Sequence, residues 1–182
     1  MNGRELVLGI SGGIAAYKSA ALASQLVQAG AKVSVVFTET AGKFMGSATF
    51  EALTGRPVRS KIFEPSAYPL GAHIELAQQA ELLFVSPATA NFLAQAAGVF
   101  ANYLLSTLYL SFSGPVLIAP AMNTEMWEKP SVQRNVAQLR DDGVKIVGPE
   151  SGWLSCRQTG VGRMAEPETI FTEIGNLFEA GR

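Results

Sequence analysis

Leu6-Val7-Leu8-Gly9-Ile10-Ser11-Gly12-Gly13-Ile14-Ala15-Ala16-Tyr17-Lys18 is the stretch whose reading decides the fold. Leu6 to Ile10 is a near-continuous apolar run, as expected of a strand covered on both faces of a parallel sheet. A glycine-rich turn follows. The alanine-rich segment Ala15 to Gln28 then reads as a helix, with Gly30 placed to end it.

The same pattern repeats outward. Val33 to Phe37, Leu82 to Val85, Val116 to Ala119 and Val144 to Val147 are further short apolar runs. Helices are expected between and after them at Ser47 to Leu53, His73 to Gln79, Asn102 to Leu110, Val132 to Asp141 and Glu168 to Phe178. This alternation predicts one three-layer α/β domain, Rossmann-like (flavodoxin-like), with helices on both faces of a parallel sheet. Glu64 to Ala72 and Pro149 to Met164 read as irregular, and loops that long in a compact domain are usually lids or disordered.

A length of 182 residues fits a single domain. Only 16% of residues are charged and 48% are hydrophobic, which points to a subunit that buries surface against copies of itself. The net charge is -1 with no basic run, so neither nucleic acid nor an anionic membrane is expected as a partner. Cys156 is the only cysteine and His73 the only histidine, which excludes an internal disulfide, a cysteine zinc site and a multi-histidine site; no metal is expected. The N-terminal residues show no signal core or presequence, and no apolar stretch reaches the roughly 18 residues that span a bilayer. The expectation is a soluble cytoplasmic protein.

In an open α/β sheet, ligands sit beyond the carboxyl ends of the strands. Gly12, Gly13 and Ile14 lead from strand to helix, where free N–H groups can meet a phosphate. The spacing is neither a dinucleotide fingerprint nor a P-loop, since Tyr17 stands where the latter needs glycine; a mononucleotide phosphate fits better, and a plain tight turn remains the other reading. Ser86-Pro87-Ala88-Thr89-Ala90-Asn91 suits a flat ring or phosphate, or equally a turn and helix cap. In Pro120-Ala121-Met122-Asn123-Thr124-Glu125-Met126-Trp127, Asn123 can donate to a carboxylate, while the methionines and Trp127 read first as core. His73 at a helix start is commonly a cap or a surface residue. Cys156, in a polar glycine-rich stretch near Arg157 and Arg163, reads as accessible.

The joint order decides. Gly12-Gly13-Ile14-Ala15-Ala16-Tyr17-Lys18, His73-Ile74-Glu75-Leu76, Pro87-Ala88-Thr89-Ala90-Asn91, the Pro120 to Trp127 block, and Cys156 followed by Gly160-Val161-Gly162-Arg163-Met164-Ala165-Glu166-Pro167 closely resemble the phosphopantothenoylcysteine decarboxylase family, within the homo-oligomeric flavin-containing cysteine decarboxylases. The likeness runs from about Arg4 to Phe178. It implies one flavin-binding decarboxylase domain over residues 1–182, with a substrate-covering loop near 149–164. The implied reaction converts 4'-phospho-N-pantothenoylcysteine to 4'-phosphopantetheine in coenzyme A biosynthesis, with FMN oxidising the thiol to a thioaldehyde so that the departing carboxylate has an electron sink.

By that resemblance, His73 assists oxidation and decarboxylation, Asn123 holds the substrate carboxylate, and Cys156 is the acid of the final reduction. Gly12, Gly13, Ile14 and Thr38 would take the flavin phosphate end, with Thr89, Ala90, Asn91 and Ala121 along the ring. Met122, Arg163 and Met164 would complete the substrate site. The family implies a site between subunits, in a trimer or dodecamer of trimers, and a separate or fused phosphopantothenoylcysteine synthetase as partner; the chain is expected to be a stand-alone decarboxylase or an excised half. Peptidyl-cysteine decarboxylases of the lantibiotic type and a non-catalytic flavin-binding regulatory subunit are the alternatives. Flavin prenyltransferases lack this His and Cys arrangement. Three departures stand out: Phe92 for the usual threonine, Asn102-Tyr103 for acidic or amide residues, and Ser155-Cys156-Arg157 for the usual Ala-Cys-Gly.

Overall fold

The computed structural model of the chain describes residues 1–63 and 68–180. Residues 64–67, part of the stretch expected to be irregular, and the final two of the expected 1–182 domain lie outside the described residues. Five strands, β1 (Glu5–Ile10), β2 (Lys32–Phe37), β3 (Leu82–Ala88), β4 (Val116–Pro120) and β5 (Lys145–Ile146), form a parallel sheet in the order β2-β1-β3-β4-β5. That is the flavodoxin-like order, and the strand order reverses between β1 and β3.

β1 to β4 are largely apolar on both sides because each face has its own helical layer. Leu6, Leu8, Ile10, Val33, Val35, Leu82, Phe84 and Leu117 pack with helix α1 (Ala16–Gln28), helix α2 (Ser47–Thr54) and helix α8 (Pro167–Ala180). Val7, Val36, Leu83, Val85 and Ile118 pack on the other face with α3 (Ala72–Gln79), α4 (Ala90–Ala97), α5 (Leu104–Ser111) and α7 (Pro130–Asp141). A one-residue slip of any strand would exchange the two sets. The free edge of β2 is covered where Phe37 N–H donates to the Arg59 carbonyl at 2.7 Å and Arg59 N–H to Val35 at 2.9 Å.

Two helices escape the sequence pattern. α4 begins on Thr89, whose hydroxyl accepts from Phe92 N–H at 3.4 Å, which is the helix cap that Ser86 to Asn91 allowed, although the helix itself was not among those expected. The short α6 (Thr124–Trp127) is capped in the same way by Asn123. The Pro149 to Met164 stretch is ordered rather than irregular: β6 (Glu150–Trp153) and β7 (Thr159–Arg163) pair antiparallel as a hairpin. α1 stops at Gln28, and Gly30 follows with φ +85°.

Candidate active site

A cavity of about 850 Å³ opens where β1, β3 and β4 end. Its wall is built by Gly12, Gly13 and Ile14 after β1, Thr89 after β3, and Ala121, Met122 and Asn123 after β4, with the hairpin and the start of α8 facing them.

Hydrogen bonds run continuously along this edge of the sheet. Ser11 is buried; its hydroxyl donates to the Pro87 carbonyl at 2.8 Å and accepts from Thr89 N–H at 2.9 Å. The glycine turn and the Thr89 turn are therefore held at one spacing. Ala121 N–H donates to Ala88 at 2.9 Å, and Met122 N–H donates to Gly162 at 3.0 Å, which carries the line from the sheet onto the hairpin. β7 can come this close because Gly160 and Gly162 have no side chains. A Cβ at Gly162, where φ is +148°, would overlap the Met122 carbonyl oxygen, and one at Gly160 would overlap the Thr124 hydroxyl.

Lys18 fastens the opposite side. Its side chain is nine-tenths buried, and Nζ donates to the Met164 carbonyl and to Glu166 Oε1, both at 3.0 Å. Arg163 shares that carboxylate at 3.0 Å and reaches Glu150 at 3.3 Å. The Ser86 hydroxyl lies 3.3 Å from the Met164 sulfur. α1, β3 and the link from β7 to α8 thus meet in one polar knot, buried at Lys18 and Ser86 and half-exposed at Arg163 and Glu166.

Of the residues expected from sequence, Gly12, Gly13, Ile14, Thr89, Ala121, Met122, Asn123, Cys156, Arg163 and Met164 line this one cavity. No acceptor among the described residues takes the N–H groups of Gly12, Gly13 or Ile14. Asn123 Oδ1 accepts from Met126 N–H at 2.9 Å, which turns the amide so that its NH₂ is left for a ligand. Cys156 is an exposed free thiol at the hairpin tip, 3.8 Å from Gln158 Oε1.

The others lie outside the lining. Thr38 is buried behind the glycine turn, its hydroxyl 3.4 Å from that of Thr40, against which Gly12 is packed. Ala90 and Asn91 occupy the first turn of α4. His73 is half-buried in the first turn of α3, in the opposite helical layer, and its Nδ1 has no partner among the described residues. Tyr17, known from sequence only as part of the first motif, lines the cavity too, as do Trp153, Leu154 and Glu168, which were not singled out by sequence. Trp153 carried the one usable signal, a large aromatic in an otherwise small and polar stretch. Burial pushes the Tyr103 phenol up to about 12, and its hydroxyl has no partner among the described residues.

A family model described as Flavoprotein matches residues 1–179. The coenzyme A biosynthesis bifunctional protein CoaBC of Haemophilus influenzae is 41% identical over 178 residues, which is 98% of this chain and 44% of that protein. The chain therefore spans less than half the length of the curated relatives it matches. A solved structure of a cysteine-to-serine mutant of PPC decarboxylase, complexed with pantothenoylaminoethenethiol, has a TM-score of 0.88 at 27% identity, covering 97% of this chain and 98% of that one. The FMN-dependent cysteine decarboxylase SpaF has a TM-score of 0.83 at 33% identity, covering 99% and 98%. No helix among the described residues is long and apolar enough to cross a membrane. Matched by that model along nearly its whole length, on a parallel sheet of flavodoxin-like order, the chain belongs to the Flavoprotein family.

Proposed function

We propose that this chain decarboxylates 4'-phospho-N-pantothenoylcysteine to 4'-phosphopantetheine, with FMN as cofactor, in coenzyme A biosynthesis. The observation that carries the reading is that Cys156 and Asn123, supplied by segments more than 30 residues apart, share one cavity with the glycine turn. The similarity to a coenzyme A biosynthesis protein and to a PPC decarboxylase supports the substrate class.

The residues fit a flavin mononucleotide. The unpartnered N–H groups of Gly12, Gly13 and Ile14 suit a phosphate or a ring edge, and a Cβ at Gly13 would come no nearer than 3.7 Å to Thr89, so the turn has room. Those three residues with Thr38 would hold the phosphate end, and Thr89, Ala90, Asn91 and Ala121 the ring. Bound there, FMN would supply a two-electron acceptor for the substrate thiol and, once reduced, a hydride donor. Asn123 orients the substrate carboxylate through its NH₂ until carbon dioxide leaves. The electron pair passes into the C=S group and forms an enethiolate. Cys156 then delivers a proton to the carbon that carried the carboxylate. The hairpin excludes water from the reactive thioaldehyde.

His73 completes this reading through a second copy. Exposed Leu70, Val99, Phe100 and Leu110 give the chain apolar surface to bury, and in the proposed trimer, or dodecamer of trimers, His73 of the partner subunit reaches the cavity. A cytoplasmic location and a fused or separate synthetase belong to the same reading.

The test is anaerobic incubation of purified protein with the phosphorylated substrate, following carbon dioxide and product by mass spectrometry, with a Cys156→Ser variant in parallel. Turnover by the wild type and arrest of the variant at an enethiol are expected. Because SpaF is more alike in sequence than the PPC decarboxylase structure, cysteine-ended peptides go into a parallel incubation. Turnover of peptides alone would overturn the proposed substrate.

A further inference from the structure

Arg157 is a residue that the proposed chemistry leaves unused. It sits at the tip of the hairpin with φ +64°, a left-handed conformation that a side-chain-bearing residue rarely adopts and that glycine adopts freely. The turn that holds it there is well bonded: Arg157 N–H donates to Leu154 at 2.9 Å, and Leu154 N–H donates to Gln158 at 2.8 Å. A strained position of this kind persists where the side chain is of use or the surroundings compel it. Here the turn is exposed, and its two backbone bonds would be kept by glycine without the strain.

The charges around the cavity sharpen the point. Its charged lining consists of two cations, Lys18 and Arg163, and two carboxylates, Glu166 and Glu168. Both cations are already engaged, Lys18 with Glu166 and Arg163 with Glu166 and Glu150. The Arg157 guanidinium is exposed and has no partner among the described residues. It stands one residue beyond Cys156, which lines the cavity.

Position along the substrate follows from the reaction. The acid must protonate the carbon that the carboxylate leaves, so Cys156 has to approach that carbon and the carboxylate lies close to it beforehand. The phosphate lies at the far end of the pantothenoyl arm. A cation adjoining the acid is therefore placed for the carboxylate rather than for the phosphate. We propose that Arg157 is a substrate-binding residue that pairs with the carboxylate of the cysteine end, alongside Asn123, and draws the hairpin tip over a substrate that still carries that carboxylate. This inference rests on the decarboxylase reading above. The guanidinium fork matches a carboxylate in two hydrogen bonds, and the pair disappears once neutral carbon dioxide has left.

The pairing is made in the ground state, so its removal should appear in KM and leave kcat unreduced. Steady-state kinetics of the wild type, Arg157→Gly, Arg157→Gln and Arg157→Lys, each loaded with FMN, test this. Thermal unfolding and inhibition by 4'-phosphopantetheine, which lacks the carboxylate, are measured alongside. Glycine and glutamine should each raise KM about tenfold with kcat equal or higher, lysine should restore most of the loss, and product inhibition should stay unchanged. The glycine variant should unfold no earlier than the wild type, since it suits φ +64°. An unchanged KM in the uncharged variants would overturn the proposal while leaving the decarboxylase reading intact. So would equal weakening of substrate and product, which would move the pairing to the phosphate. A fall in kcat at constant KM would also overturn it. A wild type that releases no carbon dioxide would remove the decarboxylase reading and this inference together.

Discussion

Replacing Gly162 with alanine tests whether the hairpin is a docked part of the site or a loose cover. Three terms set the magnitude. Alanine at φ +148° adopts a strained backbone, which destabilises by about 1–3 kcal/mol. Its Cβ overlaps the Met122 carbonyl and comes within 3.3 Å of the Asn123 carbonyl carbon, both backbone atoms, so β7 has to move away and the 3.0 Å hydrogen bond from Met122 N–H is lost, about 1 kcal/mol more. The reduced freedom of the unfolded chain offsets about 0.4–1 kcal/mol. The net is about 1–3.5 kcal/mol. If unfolding is global, Tm falls by about 2–14 °C for a chain of this size. If the hairpin detaches alone, Tm holds, while Cys156 reacts faster with a thiol reagent and turnover drops. The assay is therefore thermal unfolding together with the rate of thiol modification and of product formation. Gly175→Ala is the control: no atom lies within 4 Å of its Cβ inside α8, and it should stabilise by about 0.5–1 kcal/mol. A Gly162→Ala protein with wild-type Tm, thiol reactivity and turnover would refute the docked hairpin.

Lys18→Met keeps the aliphatic stem and strands the Met164 carbonyl; a loss of about 1–3 kcal/mol is expected in urea unfolding, with little added by the Glu166 pair because that carboxylate is 40% exposed. Tyr103→Phe removes a buried hydroxyl that has no partner, so the variant should be at least as stable as the wild type at neutral pH. Because the folded value is raised from 10.0 to about 12, the tyrosine's contribution is complete below pH 10 and is lost as pH rises toward 12; the wild type should show this extra alkaline decline and the phenylalanine variant should not. At the acid end, the bidentate contact with Arg56, at 2.7 and 3.1 Å, holds the Glu5 carboxyl below its usual 4.5. Its contribution is complete above that value and is lost as pH falls through the lowered one, so Glu5→Gln should be less stable than the wild type at pH 7 and the gap should close below about pH 4.5.

The sheet was legible because its strands are apolar on both faces, and runs such as Leu82 to Val85 have no other reading at that length. The start of α4 was open to two readings because Ala90 to Ala97 follows its strand with only Thr89 between, so a helix cap and a ligand turn are written in the same residues. The hairpin was hidden because Thr159-Gly160-Val161-Gly162-Arg163 has weak strand preference, and its strand character comes from contacts with Met122 to Thr124 that local sequence does not carry. Cavity members such as Asn123 and Cys156 were found through motif order, whereas the Lys18 to Met164 bond, spanning 146 positions, left no local trace. The position of His73 in the other helical layer could not be read from sequence, since which helix covers which face follows from strand order.

The two glycines of β7 also bear on how such a protein is rebuilt. A laboratory that transplants a relative's hairpin to alter substrate choice would naturally cut at Glu150 and Arg163, where the strands begin and end. That graft carries Cys156, the proposed acid, without its seat. The surface against which β7 lies belongs to Met122, Asn123 and Thr124, so the transferable module is discontinuous, and both segments must be exchanged together for either to keep its shape.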